Sequence, residues 1–332
     1  MSAARVVGIV GAGAFGTALA AVAARAGHEV VLWGRDAARM VEMARSRESR
    51  HLPGLRLPKA VKATSALADL AAADLLLVAV PAQATRRAAR AAAPHVRREV
   101  AAVACAKGIE EATGAFQTAV LAECLPGHPA AALSGPGFAE EIARGLPTAV
   151  TIAAGSAALA EELCAALSAP GFRPYASTDV AGVELGGALK NVLAIACGVV
   201  AGHGLGESAR AALIARGMAE MMRLGTALGA RTETFMGLSG LGDLVLTATS
   251  DKSRNMRFGM ELGRGQPAAG LMAAGAPLAE GAYTARVAVE LARRHRIEVP
   301  VSEAVAAVIA GRLTVADAID GLVNRPLRAE TE

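Results

Sequence analysis

The chain has 332 residues, of which 53% are hydrophobic and 19% charged, with 34 basic against 30 acidic side chains for a formal net charge of +4. That length carries two domains, each with its own core, and the composition excludes a disordered chain. Basic and acidic residues are interspersed and only 3% of residues are aromatic, so the charge permits a small anionic ligand but does not point to nucleic acid.

The N-terminal stretch MSAARVVGIVGAG enters a strand at Val6–Val10 with no apolar leader and cleavage site. The four cysteines form no CxxC pair and the six histidines no HExxH spacing, so no metal site is expected and the thiols suit a reducing compartment. No apolar run of spanning length escapes a break by Gly, Pro, His or charge. A cytoplasmic protein without stable membrane insertion is the expectation.

Next comes Gly11-Ala12-Gly13-Ala14-Phe15-Gly16, between that strand and a helix expected over residues 17–26. GxGxxG alone is weak, but strand-loop-helix context makes it a dinucleotide fingerprint. Gly11 permits the tight turn, Gly13 lets the backbone approach a pyrophosphate, and Gly16 lets helix pack on strand. The exposed N–H groups at the helix start then meet the phosphates, and Ala14 and Phe15, between the glycines, belong to the same cofactor-binding loop. The second strand, Glu29–Trp33, ends in Gly34-Arg35-Asp36. An acidic residue at that strand's end binds a ribose 2′-hydroxyl, whereas a guanidinium pairs with a 2′-phosphate. Arg35 therefore favours NADP(H), and Asp36 beside it leaves NAD(H) open.

Further strands are expected at residues 60–64, 75–80, 100–105, 130–133, 149–153 and 173–176, mostly separated by helical stretches such as 85–93. This is the pattern of parallel βαβ units. Lys107 follows the strand ending near Cys105, and SGPGFAEEIARGLPT forms a second glycine-rich loop at the same sheet edge. Ligands of doubly wound sheets bind at the carboxyl ends of strands.

After Asp179 the strand signals stop. The expected division is an α/β domain over residues 1–182 and an all-α domain over 183–332. Lys190 is the one cation in GVELGGALKNVLAIACG. On a helix over residues 183–200 its neighbours are Gly186, Gly187, Leu193 and Ala194, so little bulk covers the ammonium. It either snorkels to water, or has a partner, or faces a ligand. Downstream, Asp243 precedes a turn and then Ser253-Arg254-Asn255, where Asp251 or Ser253 caps a helix. An arginine at a helix start conflicts with the helix dipole unless an anion binds there.

GAGAFGTALA, HEVVLWGRD, AKGIE, SGPGFAEEIARGLPTA, GVELGGALKNVLAIACG, GLSGLGDLVLT, SRNMRFG and AEG occur in this order along nearly the whole chain. Together they resemble the bacterial type of NAD(P)-dependent glycerol-3-phosphate dehydrogenase. The resemblance implies a Rossmann domain followed by the helical domain of the 6-phosphogluconate-dehydrogenase-like superfamily. It implies reversible reduction of dihydroxyacetone phosphate to sn-glycerol 3-phosphate for phospholipid synthesis, in a homodimer. By the same resemblance Lys190 is the catalytic acid/base, and Lys107, Asp243 and Arg254 line substrate or cofactor, with Ser253 and Asn255 flanking Arg254. Gly135, Gly137 and Ala139 fall in a ligand-contacting loop, and Leu278 and Glu280 form a cofactor-contacting pair. Three positions depart from the family: Ala14 and Gly137 lack hydroxyls common there, and Phe15 lacks the polar atom of the Trp or Tyr common at its place, which leaves the backbone contacts intact. A ketopantoate reductase or hydroxyacyl-CoA dehydrogenase on the same plan is the rival reading. In the mechanism expected here, the alkoxide formed by hydride addition takes its proton from Lys190. Lys107 lowers, and Asp243 raises, the proton affinity of that amine.

Overall fold

A computed structural model describes residues 5–273 and 278–326. Ten strands occur in it: β1 (Val6–Val10), β2 (Glu29–Trp33), β3 (Glu48–Ser49), β4 (Leu52–Arg56), β5 (Val61–Thr64), β6 (Leu75–Val78), β7 (Ala101–Ala104), β8 (Ala130–Ser134), β9 (Thr148–Ala154) and β10 (Phe172–Ser177). Eight of them form one sheet in the order β10-β9-β8-β7-β6-β1-β2-β5. The central strands are buried on both faces, β6 (LLLV) entirely, which is why their sequences run apolar without alternation. The principal helices are α1 (Ala14–Arg25), α2 (Val180–Gly202), α3 (Glu207–Ala227), α4 (Asp243–Ala248), α5 (Arg254–Gly263), α6 (Glu280–His295), α7 (Pro300–Ile309) and α8 (Val315–Val323).

Two features depart from the expected βαβ pattern. β9 runs antiparallel to β8. The only helix between them, Ala139–Ala143, has five residues and rises ~7.5 Å. That is too short to return the chain along a five-residue strand of ~17 Å, so β9 comes straight back. The small antiparallel hairpin β3–β4 lies in RESRHLPGLR, where Pro53 and Gly54 hide any period-2 signal.

α2 is the axis of the helical half. Asp179 caps it, accepting from Gly182 N at 2.9 Å, and its other oxygen accepts from Arg231 N and Thr234 Oγ1 at 2.9 and 2.6 Å. The helix thus begins at Val180, and residues 182/183 lie within its first turn. Among the described residues it alone has the length and mean hydropathy (1.6) of a membrane span, but 83% of that window is buried inside the protein.

α2 packs on α5 through glycines four apart on both helices. A Cβ at Gly198 would lie 2.2 Å from Met256 O, at Gly202 2.1 Å from Met260 O, and at Gly259 2.0 Å from Ile195 O. Backbone meets backbone, so no side-chain rotation relieves an added methyl. Gly259→Ala is therefore expected to destabilise by about 2–3 kcal/mol. Gly321→Ala, on α8 with nothing within 4 Å of the new Cβ, is expected to stabilise by about 0.5–1 kcal/mol. Urea midpoints of the two variants check the pair, and an unmoved midpoint for Gly259→Ala would refute the close crossing.

Candidate active site

The glycine loop follows β1. Gly11 has φ +122°, in the region that favours glycine, and a Cβ there would meet Ala79 O at 2.5 Å. A Cβ on Gly16 would lie 1.8 Å from Gly11 O, while at Gly13 it would meet nothing within 4 Å. The first and last glycines thus pack chain against chain, and the middle one leaves open space beside the helix start. Gly13 is the N-cap of α1 and provides no side-chain cap, so the helix's first N–H groups are left for an outside acceptor. α1 starts at Ala14, three residues before the expected start. Ala14 and Phe15 are half-buried and pack against the sheet's core. At the end of β2, Asp36 is occupied: it accepts from Arg39 N at 3.1 Å and pairs with Arg39 Nε at 2.8 Å. Arg35 is exposed.

The polar centre is assembled from three distant segments. Lys107, beyond β7, donates from Nζ to Gly135 O and to Asp243 Oδ2, both at 2.6 Å. Lys190 donates from Nζ to Asp243 Oδ1 at 2.9 Å and to Thr247 Oγ1 at 2.7 Å. One carboxylate on α4 is therefore shared by two ammoniums. Each ammonium has three protons, so two bonds leave each lysine one further donor. Asp243 is 1% exposed and Lys190 7%.

Burial pushes Lys190 down to about 8, with Asp243 opposing and Lys107 and Arg254 adding to the fall. Burial disfavours the Asp243 carboxylate, but the two lysines outweigh it and hold that group below its ordinary value. The expected signs for Lys107 and Asp243 thus appear, while desolvation, the largest influence on Lys190, was not among the expectations.

Around this centre Asn191 donates from Nδ2 to Lys107 O at 2.9 Å and accepts at Oδ1 from Asn255 Nδ2 at 2.8 Å. Asn255 Oδ1 accepts from Gly281 N at 3.0 Å. Two amides therefore tie the Lys107 loop, α2, α5 and the start of α6 together. Ser253 caps α5, accepting from Met256 N at 3.2 Å; Asp251 does not. Arg254, the first residue of α5, is exposed, and its charge is felt at both Lys190 and Glu280. Glu280 accepts from Ala82 N at 3.2 Å through Oε1. Its Oε2 is buried with no partner, and burial raises its proton affinity. Gly135 has φ +137°, and a Cβ there would press on Val150 Cα at 2.9 Å. At Gly137 a Cβ would meet Ile142 Cδ1 at 2.8 Å, so the site has no room for the missing hydroxyl unless Ile142 turns. Ala139 begins the short helix beyond this loop, and Leu278 lies two residues before α6, half-buried.

Thr247 and Asn191 were not among the sequence candidates. Both had a signal: Thr247 lies four residues from Asp243, hence on the same helix face, and Asn191 adjoins Lys190. An acceptor-rich ligand with phosphates fits the uncapped α1 start, Arg35, Arg254 and the spare lysine donors. Among the described residues no group of three or more His, Cys, Asp or Glu side chains could hold a metal.

Comparison with known proteins bears on this site. Residues 6–160 match the family described as NAD-dependent glycerol-3-phosphate dehydrogenase N-terminus, and residues 179–320 match its C-terminus. A glycerol-3-phosphate dehydrogenase [NAD(P)+] of Rhodopseudomonas palustris is 53% identical over 324 residues, 98% of each chain. One of Bradyrhizobium is 55% identical over 324 residues, again 98% of each chain. The crystal structure of glycerol-3-phosphate dehydrogenase from Coxiella burnetii superposes with a TM-score of 0.91 at 37% identity, covering 97% of this chain and 99% of that one. The parallel-sheet domain, the helical domain and these matches place the chain in the NAD-dependent glycerol-3-phosphate dehydrogenase family.

Proposed function

We propose that the protein reduces dihydroxyacetone phosphate to sn-glycerol 3-phosphate with NAD(P)H, reversibly, and supplies phospholipid synthesis from the cytoplasm as a homodimer without membrane insertion. Residues 1–182 hold the cofactor and 183–332 complete the site. The observation that carries this reading is the Asp243 carboxylate shared between Lys107 and Lys190.

NAD(P)H, when bound, supplies the hydride. Gly11, Gly13 and Gly16 shape its loop, the backbone N–H groups of Ala14 and Phe15 meet its phosphates, and Ala139, Leu278 and Glu280 flank it. Lys190 is the acid: its third N–H points its proton at the substrate oxygen while Asp243 and Thr247 hold the other two. Charge develops on that oxygen during reduction, and a preplaced ammonium in a dry site stabilises it. Lys107 provides a second cation toward the same region, fixed by Gly135 O and Asp243. Ser253 and Asn255 hold the start of α5 so that Arg254 binds a phosphate, whether of substrate or cofactor. Gly135 and Gly137 keep the adjoining loop close to the sheet. In the reverse direction the neutral Lys190 amine takes the alcohol proton.

The test is nicotinamide absorbance on mixing the protein with NADPH and dihydroxyacetone phosphate. Oxidation that requires the phosphate is expected; equal rates on unphosphorylated dihydroxyacetone would overturn the substrate reading. NADP(H) is the preferred cofactor because Arg35 is exposed beside the loop while Asp36 is engaged as a helix cap. Arg35→Asp is expected to shift the kcat/KM ratio of NADPH to NADH at least about 10-fold toward NADH, the loss of one charge-assisted phosphate contact. An unmoved ratio would show that Arg35 does not read the 2′-phosphate.

A further inference from the structure

A cavity lined by none of the residues of the lysine centre opens between α2, α3, α7 and α8 and has a volume of about 690 Å³. That is within the roughly 300–1,000 Å³ of sites that take small molecules. Its floor is aliphatic: Val199, Leu213, Leu262, Val305, Val308 and Leu322 all line it. Leu205 and Val323 also line it, and they are 41% and 76% exposed, so apolar surface continues to the mouth. Large aliphatic side chains left in water beside an apolar cavity mark a binding surface.

The polar residues of the lining have an uneven sign. Four arginines, Arg216, Arg223, Arg296 and Arg325, line it against two carboxylates, those of Glu220 and Glu298. Glu220 is 3% exposed and turned to the start of α7, where it accepts from Val301 N, Ser302 N and Ser302 Oγ. Glu298 pairs with Arg325 at 2.9 Å, and its carbonyl accepts from Arg223. Arg216, Arg296 and Arg325 are exposed, so the open side of the cavity is net cationic over an apolar floor. A neutral hydrocarbon would leave the net positive charge of the lining uncompensated, and a hydrophilic anion would leave the floor wet.

We propose that this cavity binds a dissolved single-chain amphiphile, its hydrocarbon tail on the aliphatic floor and its anionic head at the arginines. Such a ligand removes apolar surface from water at both the floor and the tail, and its head meets guanidiniums suited to carboxylate or phosphate oxygens.

Titration calorimetry with decanoate, kept below its micelle concentration, tests this on the full chain. One site per chain is expected, with decanol binding about 2- to 5-fold more weakly, the value of an exposed charge contact. Ala212→Trp, at an exposed lining position, places an indole in the mouth and is expected to abolish binding. Arg296→Asn removes one cation while keeping a residue tolerant of the left-handed backbone at φ 57°, and it is expected to weaken decanoate but not decanol. Both variants lie outside the lysine centre, so reduction of dihydroxyacetone phosphate serves as the folding control. The proposal fails if decanoate gives no saturable heat, if decanol binds equally well, or if Ala212→Trp still binds. It also fails if light scattering shows a dimer that Ala212→Trp splits, since a second copy would then cover the cavity. Retention on phosphatidylglycerol vesicles without binding of monomeric decanoate would overturn it in favour of a membrane surface.

Discussion

Lys190→Ala is expected to lower turnover by about 100- to 10,000-fold, the usual worth of a positioned acid or base, while NADPH affinity stays nearly unchanged. The reason is geometric. Lys190 has two of its three donors held by Asp243 and Thr247, so removing it takes away the ammonium that the proposed reaction aims at the reacting oxygen, and neither of those bonds reaches the glycine loop after β1. The proposed role of the same residue gives the reaction a pH dependence. Burial brings its value to about 8, so reduction, which needs the ammonium, falls as pH rises through about 8. Oxidation of glycerol 3-phosphate, which needs the neutral amine, rises through the same value. Steady-state rates in both directions from pH 6 to 10 check this, with cofactor affinity read separately by fluorescence titration. A Lys190→Ala enzyme of wild-type turnover, or two profiles that move together, would remove Lys190 from the acid–base role.

How much of this was legible in the sequence depends on how local each signal is. The glycine loop was readable because its demands are local: Gly16 lies five residues from Gly11 and touches its carbonyl. Lys190 was readable as an anomaly, a cation in a run of small residues, but Asp243 and Lys107 came to it only through the family resemblance, and Thr247 not at all. Asp243 is 53 residues from Lys190 and 136 from Lys107, and no period or spacing encodes contacts across such gaps. The shared carboxylate is a product of tertiary packing, and so is the Asn191–Asn255 bridge. Strand direction was illegible for a different reason. β9 has the apolar character of its neighbours whichever way it runs, and only the shortness of the connecting helix decides the direction. The cap of α5 shows a nearer case: a local rule narrowed it to Asp251 or Ser253, and the structure has Ser253, directly before the first helical residue.

Asp243→Asn is expected to give the largest loss of stability at the site, because it leaves two neighbouring ammoniums without the carboxylate between them. The asparagine is nearly the same shape, yet its amide nitrogen is a donor and one lysine would face donor with donor. Removing one member of a buried charged set costs about 3–5 kcal/mol. Lys190 can escape part of that cost by losing its proton, which gives the effect a pH sign. In the folded wild type its value lies near 8 against 10.5 ordinarily, so the unfolded chain binds more protons across that window and stability rises with pH there. Without Asp243, which raises the Lys190 value, the folded-state value falls further and the window widens downward. The deficit of Asp243→Asn relative to wild type should therefore be larger at pH 6 than at pH 9.5. Reduction should fail at neutral pH for the same reason, with any residual activity moved to more acidic pH as the remaining ammonium population allows. Urea denaturation at the two pH values, together with the pH–rate profile, separates this from simple loss of packing. A mere packing defect would cost the same at both pH values and leave the profile where it was.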